Sequence, residues 1–158
     1  MDEQAQQLLR RLIRGQRVAA LGTLRRGAPY VSLVPYVPAP DFSAFYMHIS
    51  FLAHHTRNIE ADPRVSFMIA APDGGGGSPL ALPRITMRGR ASVLGDEPDA
   101  AAARALYLNR CPEAARTFML RDFALFGIFP DGARFVAGFG KTFNLKPDAL
   151  VDLAGGDP

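Results

Sequence analysis

Two stretches of strict alternation constrain this chain more than anything else in it. Pro29–Val37 (PYVSLVPYV) puts Tyr30, Ser32, Val34 and Tyr36 on one face and Val31, Leu33, Pro35 and Val37 on the other. Pro83–Leu94 (PRITMRGRASVL) opposes Ile85, Met87, Ala91 and Val93 to Arg84, Thr86, Arg88, Arg90 and Ser92. A repeat of two is the period of an extended strand with one buried and one wet face, and a helix does not satisfy it. Gly89 interrupts the second run and predicts a bulge or a close backbone approach. Pro35 cannot donate to a ladder, so the first run belongs at a sheet edge or end near that residue.

The rest of the chain supplies partners for these strands. Val18–Leu24 reads as a buried strand closed by the turn Arg25-Arg26-Gly27. Ala44–Ile49 turns Phe45, Met47 and Ile49 one way and Tyr46 and His48 the other, and Arg64–Ala71 is a fourth strand. Asp122–Phe129 and Ala133–Phe139 are expected as a hairpin around Pro130-Asp131-Gly132, a strong turn composition. Ala5, Leu8, Leu9, Leu12 and Ile13 recur at helical spacing, giving a first helix over about 3–14 with Gly15 as its stop. Asp96 caps an alanine-rich helix to about Arg110, and Pro112 opens a shorter one to about Leu120. Asp73–Pro79, with its run Gly74–Gly77, is a surface hairpin loop, and residues 146–158 are expected as a flexible tail beyond a domain of residues 1–145. Hairpin turns between short strands point to antiparallel pairing, and to a mainly β (α+β) small barrel of six to seven strands with peripheral helices.

Composition excludes several functions. With 158 residues, 48% hydrophobic and 21% charged, the chain is an ordinary globular domain with a real core. No uninterrupted apolar run approaches the ~18 residues that a membrane span needs, and the start MDEQAQQLLRRLIRG lacks the design of a secretory signal. The one cysteine, Cys111, has no partner for an internal disulfide, and a cytoplasmic location is expected. The net charge of +3 comes from arginines spread along the chain, without tryptophan, which argues against nucleic acid as a partner.

Chemistry concentrates in Met47–Pro63 (MHISFLAHHTRNIEADP). A strand ends there and a helix is expected to start on Ser50 as N-cap and to stop at Asp62-Pro63. A helix N-terminus beside cations suits a phosphate. His54 and His55 are neighbours, about 100° apart on a helix, so they cannot share a metal, and no zinc spacing accompanies them. Gly74–Gly77 lacks the strand, Gly-Lys-Ser/Thr and helix that a phosphate loop needs, and no Gly-x-Ser-x-Gly elbow exists. The polar residues left as binding candidates are Ser32, Ser50, His55, Asn58 and Arg84. Phe126, Phe135, Phe139 and Phe143 are expected in the core.

At this level of detail the pattern resembles a known family. Gly27-Ala-Pro-Tyr-Val-Ser-Leu-Val-Pro-Tyr36, Ser50-Phe-Leu-Ala-His-His-Thr-Arg-Asn-Ile59, Asp62-Pro-Arg-Val-Ser66, Arg84-Ile-Thr-Met-Arg-Gly89 and Arg134-Phe-Val-Ala-Gly-Phe-Gly-Lys141 carry the likeness. Together they are similar to the FMN-binding split β-barrels related to pyridoxamine 5'-phosphate oxidase, nearest the bacterial haem-utilisation (haem-degrading) branch. The resemblance implies a homodimer with FMN at its interface and an oxidoreductase acting on a small-molecule substrate. It also implies that Ser32, Val34 and Pro35 line the flavin ring, that Ser50 and Leu52 flank it, and that His55 and Asn58 face the ribityl phosphate. Arg84 takes the place of a glutamine contact, and Lys141 reaches the cofactor of its own or the neighbouring subunit. His54-His55 replace the oxidase's phosphate-binding Arg-Lys pair, and the tryptophan of its pyridoxal phosphate site is missing, so synthesis of pyridoxal phosphate is not expected. Two alternatives stand beside FMN. One is haem, with His48, His54 and His55 as possible axial ligands and haem degradation as the activity. The other is a deazaflavin, or a flavin held without catalysis.

Overall fold

The computed structural model describes residues 1–95 and 98–155. Its helices and strands run α1 (Glu3–Gly15), β1 (Val18–Arg25), β2 (Ala28–Pro35), β3 (Val37–Pro38), β4 (Phe45–Ser50), α2 (His54–Ala61), β5 (Arg64–Ala70), β6 (Arg84–Val93), α3 (Pro98–Arg110), β7 (Phe123–Gly138), β8 (Lys141–Leu145) and α4 (Pro147–Ala154). A 3-10 helix, Pro112–Met119, links α3 to β7 and is called the strap below. All strands pair antiparallel in one sheet ordered β2-β1-β5-β6-β7-β4-β3, with β8 also on β7. The sheet curls around its own inner face, as a split barrel does. Pro35 ends β2, the edge strand, where a residue without an N–H costs no ladder bond.

Alternation decides which side chains fill the barrel. Leu21, Phe45, Met47, Phe67, Ile69, Ile85, Met87, Ile128 and Phe135 are all fully buried. Tyr36 joins them, and its phenol donates to the Ile13 carbonyl at 2.7 Å, fastening the link between β2 and β3 to α1. Burying that phenol raises its pKa, because the phenolate would lose its water. A second, smaller cluster lies on the back of β4 and β7 under α3 and the strap, built from Val37, Ala103, Tyr107, Cys111 and Leu125.

Three expectations give way. The hairpin at Pro130-Asp131-Gly132 does not form, and β7 runs through it as one 16-residue strand. The reason is the predicted irregularity at Gly89. Gly89 pairs with Pro130 while Arg88 pairs with Gly132, so Asp131 is the extra residue of a bulge and the turn composition bends a strand instead of reversing it. Residues 147–154, expected within a flexible tail, form α4. Leu150, Leu153 and Ala154 are buried, and Arg10 and Arg14 of α1 donate to the carbonyls of Leu153 (3.3 Å) and Ala154 (3.0 Å). Cations at a helix C-terminus satisfy orphan carbonyls and offset its dipole. Phe139, expected in the core, is 79% exposed at the β7–β8 turn, whereas Phe126 and Phe135 are buried. The expected cap Asp96 lies outside the described residues. Among the described residues no helix is long and apolar enough to cross a membrane.

Candidate functional site

The β4–α2 junction differs in detail from the sequence expectation. α2 starts at His54 and its N-cap position is Ala53, which offers no side-chain acceptor. Ser50 instead closes β4 and builds the turn. Its Oγ accepts from the Leu52 N–H (3.1 Å) and donates to Asp122 Oδ2 (2.8 Å), and its carbonyl accepts from the Ala53 N–H and the Thr56 hydroxyl. A two-residue spacer, Phe51-Leu52, therefore separates the serine from the cap, and the first N–H groups of α2 carry no side-chain cap. α2 does end at Ala61, just before Asp62-Pro63.

The expected ligands fall into two groups. Ser32, Ser50, Leu52, His55 and Asn58 belong to the neighbouring β2, β4 and α2 segments. Asn58 is already committed: it is buried and its amide donates to Thr23 Oγ1 at 2.9 Å. His55 is half-buried with Nε2 shielded and unpartnered, and burial, then the neighbouring His54, lowers its pKa. Val34 is 1% exposed, so only its backbone could touch a ligand, while Leu52 and Pro35 are exposed. Arg84 and Lys141 lie elsewhere, on β6 and β8, the two strands that flank the end of β7. Arg84 is spent on the carbonyls of Leu80 and Leu82, and Lys141 is exposed.

The densest chemistry surrounds a residue that alternation alone had only turned away from the core. His48 is 6% exposed, between β4 and the strap. Its ring stacks on Phe118 at 3.6 Å and 7°, with Phe123 at 5.3 Å and Tyr107 at 6.0 Å. Arg104 lies over the Phe118 ring at 4.9 Å. His48 Nδ1 is 3.0 Å from Thr117 Oγ1, and that hydroxyl donates to the Ala114 carbonyl at 2.8 Å. Burial, helped by Arg104, lowers the His48 pKa to about 4, so the imidazole is neutral near pH 7. Burial likewise pushes the Tyr107 phenol up to about 12.

Two cavities meet at this ring and share His48 and Phe123. One, of about 390 Å³, is bordered by Arg17, Pro35, Tyr107 and Thr117. The other, of about 360 Å³, is bordered by Leu94, Arg104, Phe118 and Leu125. Arg17 forms an exposed ion pair with Glu113. Two residues expected from the sequence lie on this wall, Pro35 from the flavin reading and His48 from the haem alternative. Sequence reasoning missed Arg17, Arg104, Tyr107, Thr117, Phe118 and Phe123 because they are far apart in the chain. The one available signal was a polar histidine at an outward β4 position facing the amphipathic 112–119 segment. A larger groove, about 470 Å³, runs over the outer face of β1, β5 and β6 between Val31, Gly22 and Ser66 and the arginines Arg64, Arg88 and Arg90.

Residues 4–137 match the sequence profile of pyridoxamine 5'-phosphate oxidase. With that match and the curled antiparallel sheet, the chain belongs to the pyridoxamine 5'-phosphate oxidase family of split β-barrels. Among curated proteins it is similar to the haem oxygenase HutZ of Vibrio cholerae serotype O1, 29% identical over 136 residues, which are 81% of this chain and 73% of that protein. It is also 33% identical over 139 residues to the chloroplastic non-canonical haem oxygenase HOZ of Arabidopsis thaliana, covering 85% of this chain but only 41% of that one. A solved haem-binding protein from Mycobacterium smegmatis superposes with a TM-score of 0.85 at 29% identity, over 96% of this chain and 62% of the other. The chain thus spans less than two thirds of two of these three relatives.

Proposed function

We propose that this protein binds haem and supports its oxidative degradation. The observation that carries the reading is the pair of aromatic-lined cavities meeting at His48, with Arg104 bordering one and Arg17 the other. Haem is a flat, apolar dianion. Phe118, Phe123, Tyr107, Leu94 and Leu125 match its faces, and the Arg104 guanidinium matches a carboxylate, whereas Arg17 is already paired with Glu113. The donor set fits as well. Haem brings four nitrogens of its own, so iron needs one protein nitrogen rather than a cluster, and no group of three His, Cys, Asp or Glu side chains exists among the described residues. When bound, haem iron supplies the electron and oxygen chemistry, and the protein contributes orientation, a dry wall and charge. The names of the relatives support the same reading, since two are haem oxygenases and one is haem-binding.

FMN is the second reading. The uncapped start of α2 leaves N–H groups available to a phosphate, and His54 and His55 stand where cations would help. In that case Ser32, Val34 (through its backbone), Pro35, Ser50, Leu52, His55 and Asn58 form one half of the site. Arg84 and Lys141 arrive from a second subunit, because within one chain they lie elsewhere, on β6 and β8. The face for such a homodimer is the outer side of β2, β1 and β5, where Val31 and Leu33 are 68% and 72% exposed and Val18 and Met68 are also open. Titrating the protein separately with haem and with FMN discriminates the two readings. A shifted Soret band with haem and unchanged flavin fluorescence with FMN is the expected result.

A further inference from the structure

We infer that His48 Nε2 is the nitrogen that ligates iron, and that Thr117 is the residue that positions it. This rests on the haem reading above. The hydrogen-bond chain fixes the tautomer. A threonine hydroxyl has one proton, and Thr117 gives it to the Ala114 carbonyl. Towards His48 the same oxygen can therefore only accept, so the imidazole proton sits on Nδ1 and Nε2 carries the lone pair. Among the described residues no hydrogen bond reaches Nε2. Thr117, the partner of Nδ1, borders the cavity on the Arg17 side, and the His48 ring borders both that cavity and the one lined by Arg104.

Each feature of the surroundings serves a metal ligand better than a structural histidine. A ring donating from Nδ1 to an oxygen and presenting Nε2 is the arrangement by which an outer partner orients a ligating histidine and raises its basicity. The stack on Phe118, whose ring also carries the Arg104 guanidinium, fixes the plane of the imidazole. His54 is exposed and its ring meets Tyr30 edge-on at 6.1 Å, with no hydrogen-bond partner among the described residues that sets its tautomer. His55 has its Nε2 shut away from solvent. Of the three histidines, His48 alone offers an oriented lone pair to a space that could hold a ligand.

The test is haem titration of the whole chain and its variants, followed by absorption and by resonance Raman spectra of the ferrous form. His48→Gln keeps a side chain able to donate to Thr117 but has no imidazole, and His48→Gly leaves a hole for free imidazole. Both are expected to lose the iron–histidine band, and added imidazole is expected to restore it in His48→Gly. His54→Ala is expected to keep the parent spectrum. Thr117→Val should bind haem about tenfold more weakly and shift the iron–histidine frequency, as loss of an outer hydrogen bond does, with Thr117→Ser restoring both. A parent protein that binds haem while His48→Gln gives the parent spectrum overturns the assignment and leaves the haem reading standing. A parent that does not bind haem overturns that reading itself. An unchanged iron–histidine frequency in Thr117→Val would remove Thr117 from its positioning role.

Discussion

His48 concentrates the energetic argument at the level of single residues. A neutral imidazole held against Phe118 and Thr117 cannot accept a proton without giving up its desolvated setting, and Arg104 adds repulsion. Its pKa falls from 6.5 unfolded to about 4 folded. Between those values the unfolded chain binds the extra proton, so the stabilising contribution is complete above about pH 6.5 and is lost as the pH drops toward 4. Denaturation midpoints measured from pH 7 to pH 4 should therefore fall more steeply for the parent than for His48→Gln. Parallel pH profiles for the two proteins would show that the buried ring is not what titrates.

β7 shows how a local signal can be right in kind and wrong in consequence. Pro-Asp-Gly is turn chemistry, yet the chain bends without reversing because β6 lies alongside both halves of β7 and the extra residue Asp131 is taken up as a bulge opposite Arg88 and Gly89. A Cβ at Gly89 would overlap the Phe129 carbonyl and stand 2.9 Å from Pro130 Cα, both of them backbone atoms that cannot step aside. Gly89→Ala is expected to cost at least about 2 kcal/mol, as overpacking against a fixed neighbour does, and a urea midpoint within error of the parent would refute this account of the bulge. α4 was hidden for a different reason. Pro147-Asp148 is a good helix start and Leu150 and Leu153 are apolar, but eight residues are too few to announce a helix without the arginines of α1 that receive its end.

At the scale of the molecule, the alternating runs made the sheet legible, and the family likeness made the split barrel legible. The burial of Phe45, Met47, Ile85 and Met87 follows directly from period two. The candidate site was readable only in its local part. The β4–α2 segment could be found as a continuous string, whereas the cavity wall joins Pro35, His48, Arg104, Phe118 and Phe123 through packing that no spacing rule encodes. The outer face of β2, β1 and β5 adds an expectation for assembly. If that face pairs two copies, Leu33→Glu should shift the protein from dimer to monomer by sedimentation velocity. A parent that already sediments as a monomer would rule the pairing out.

The central claim is that the cavities at His48 take haem, and its most direct test is the absorption spectrum of the purified protein titrated with haem and then desalted. A Soret band shifted from that of free haem and retained at one haem per chain is expected. A band that washes away, with flavin absorbance retained after the same treatment with FMN, would contradict it and make the β4–α2 corner the site instead.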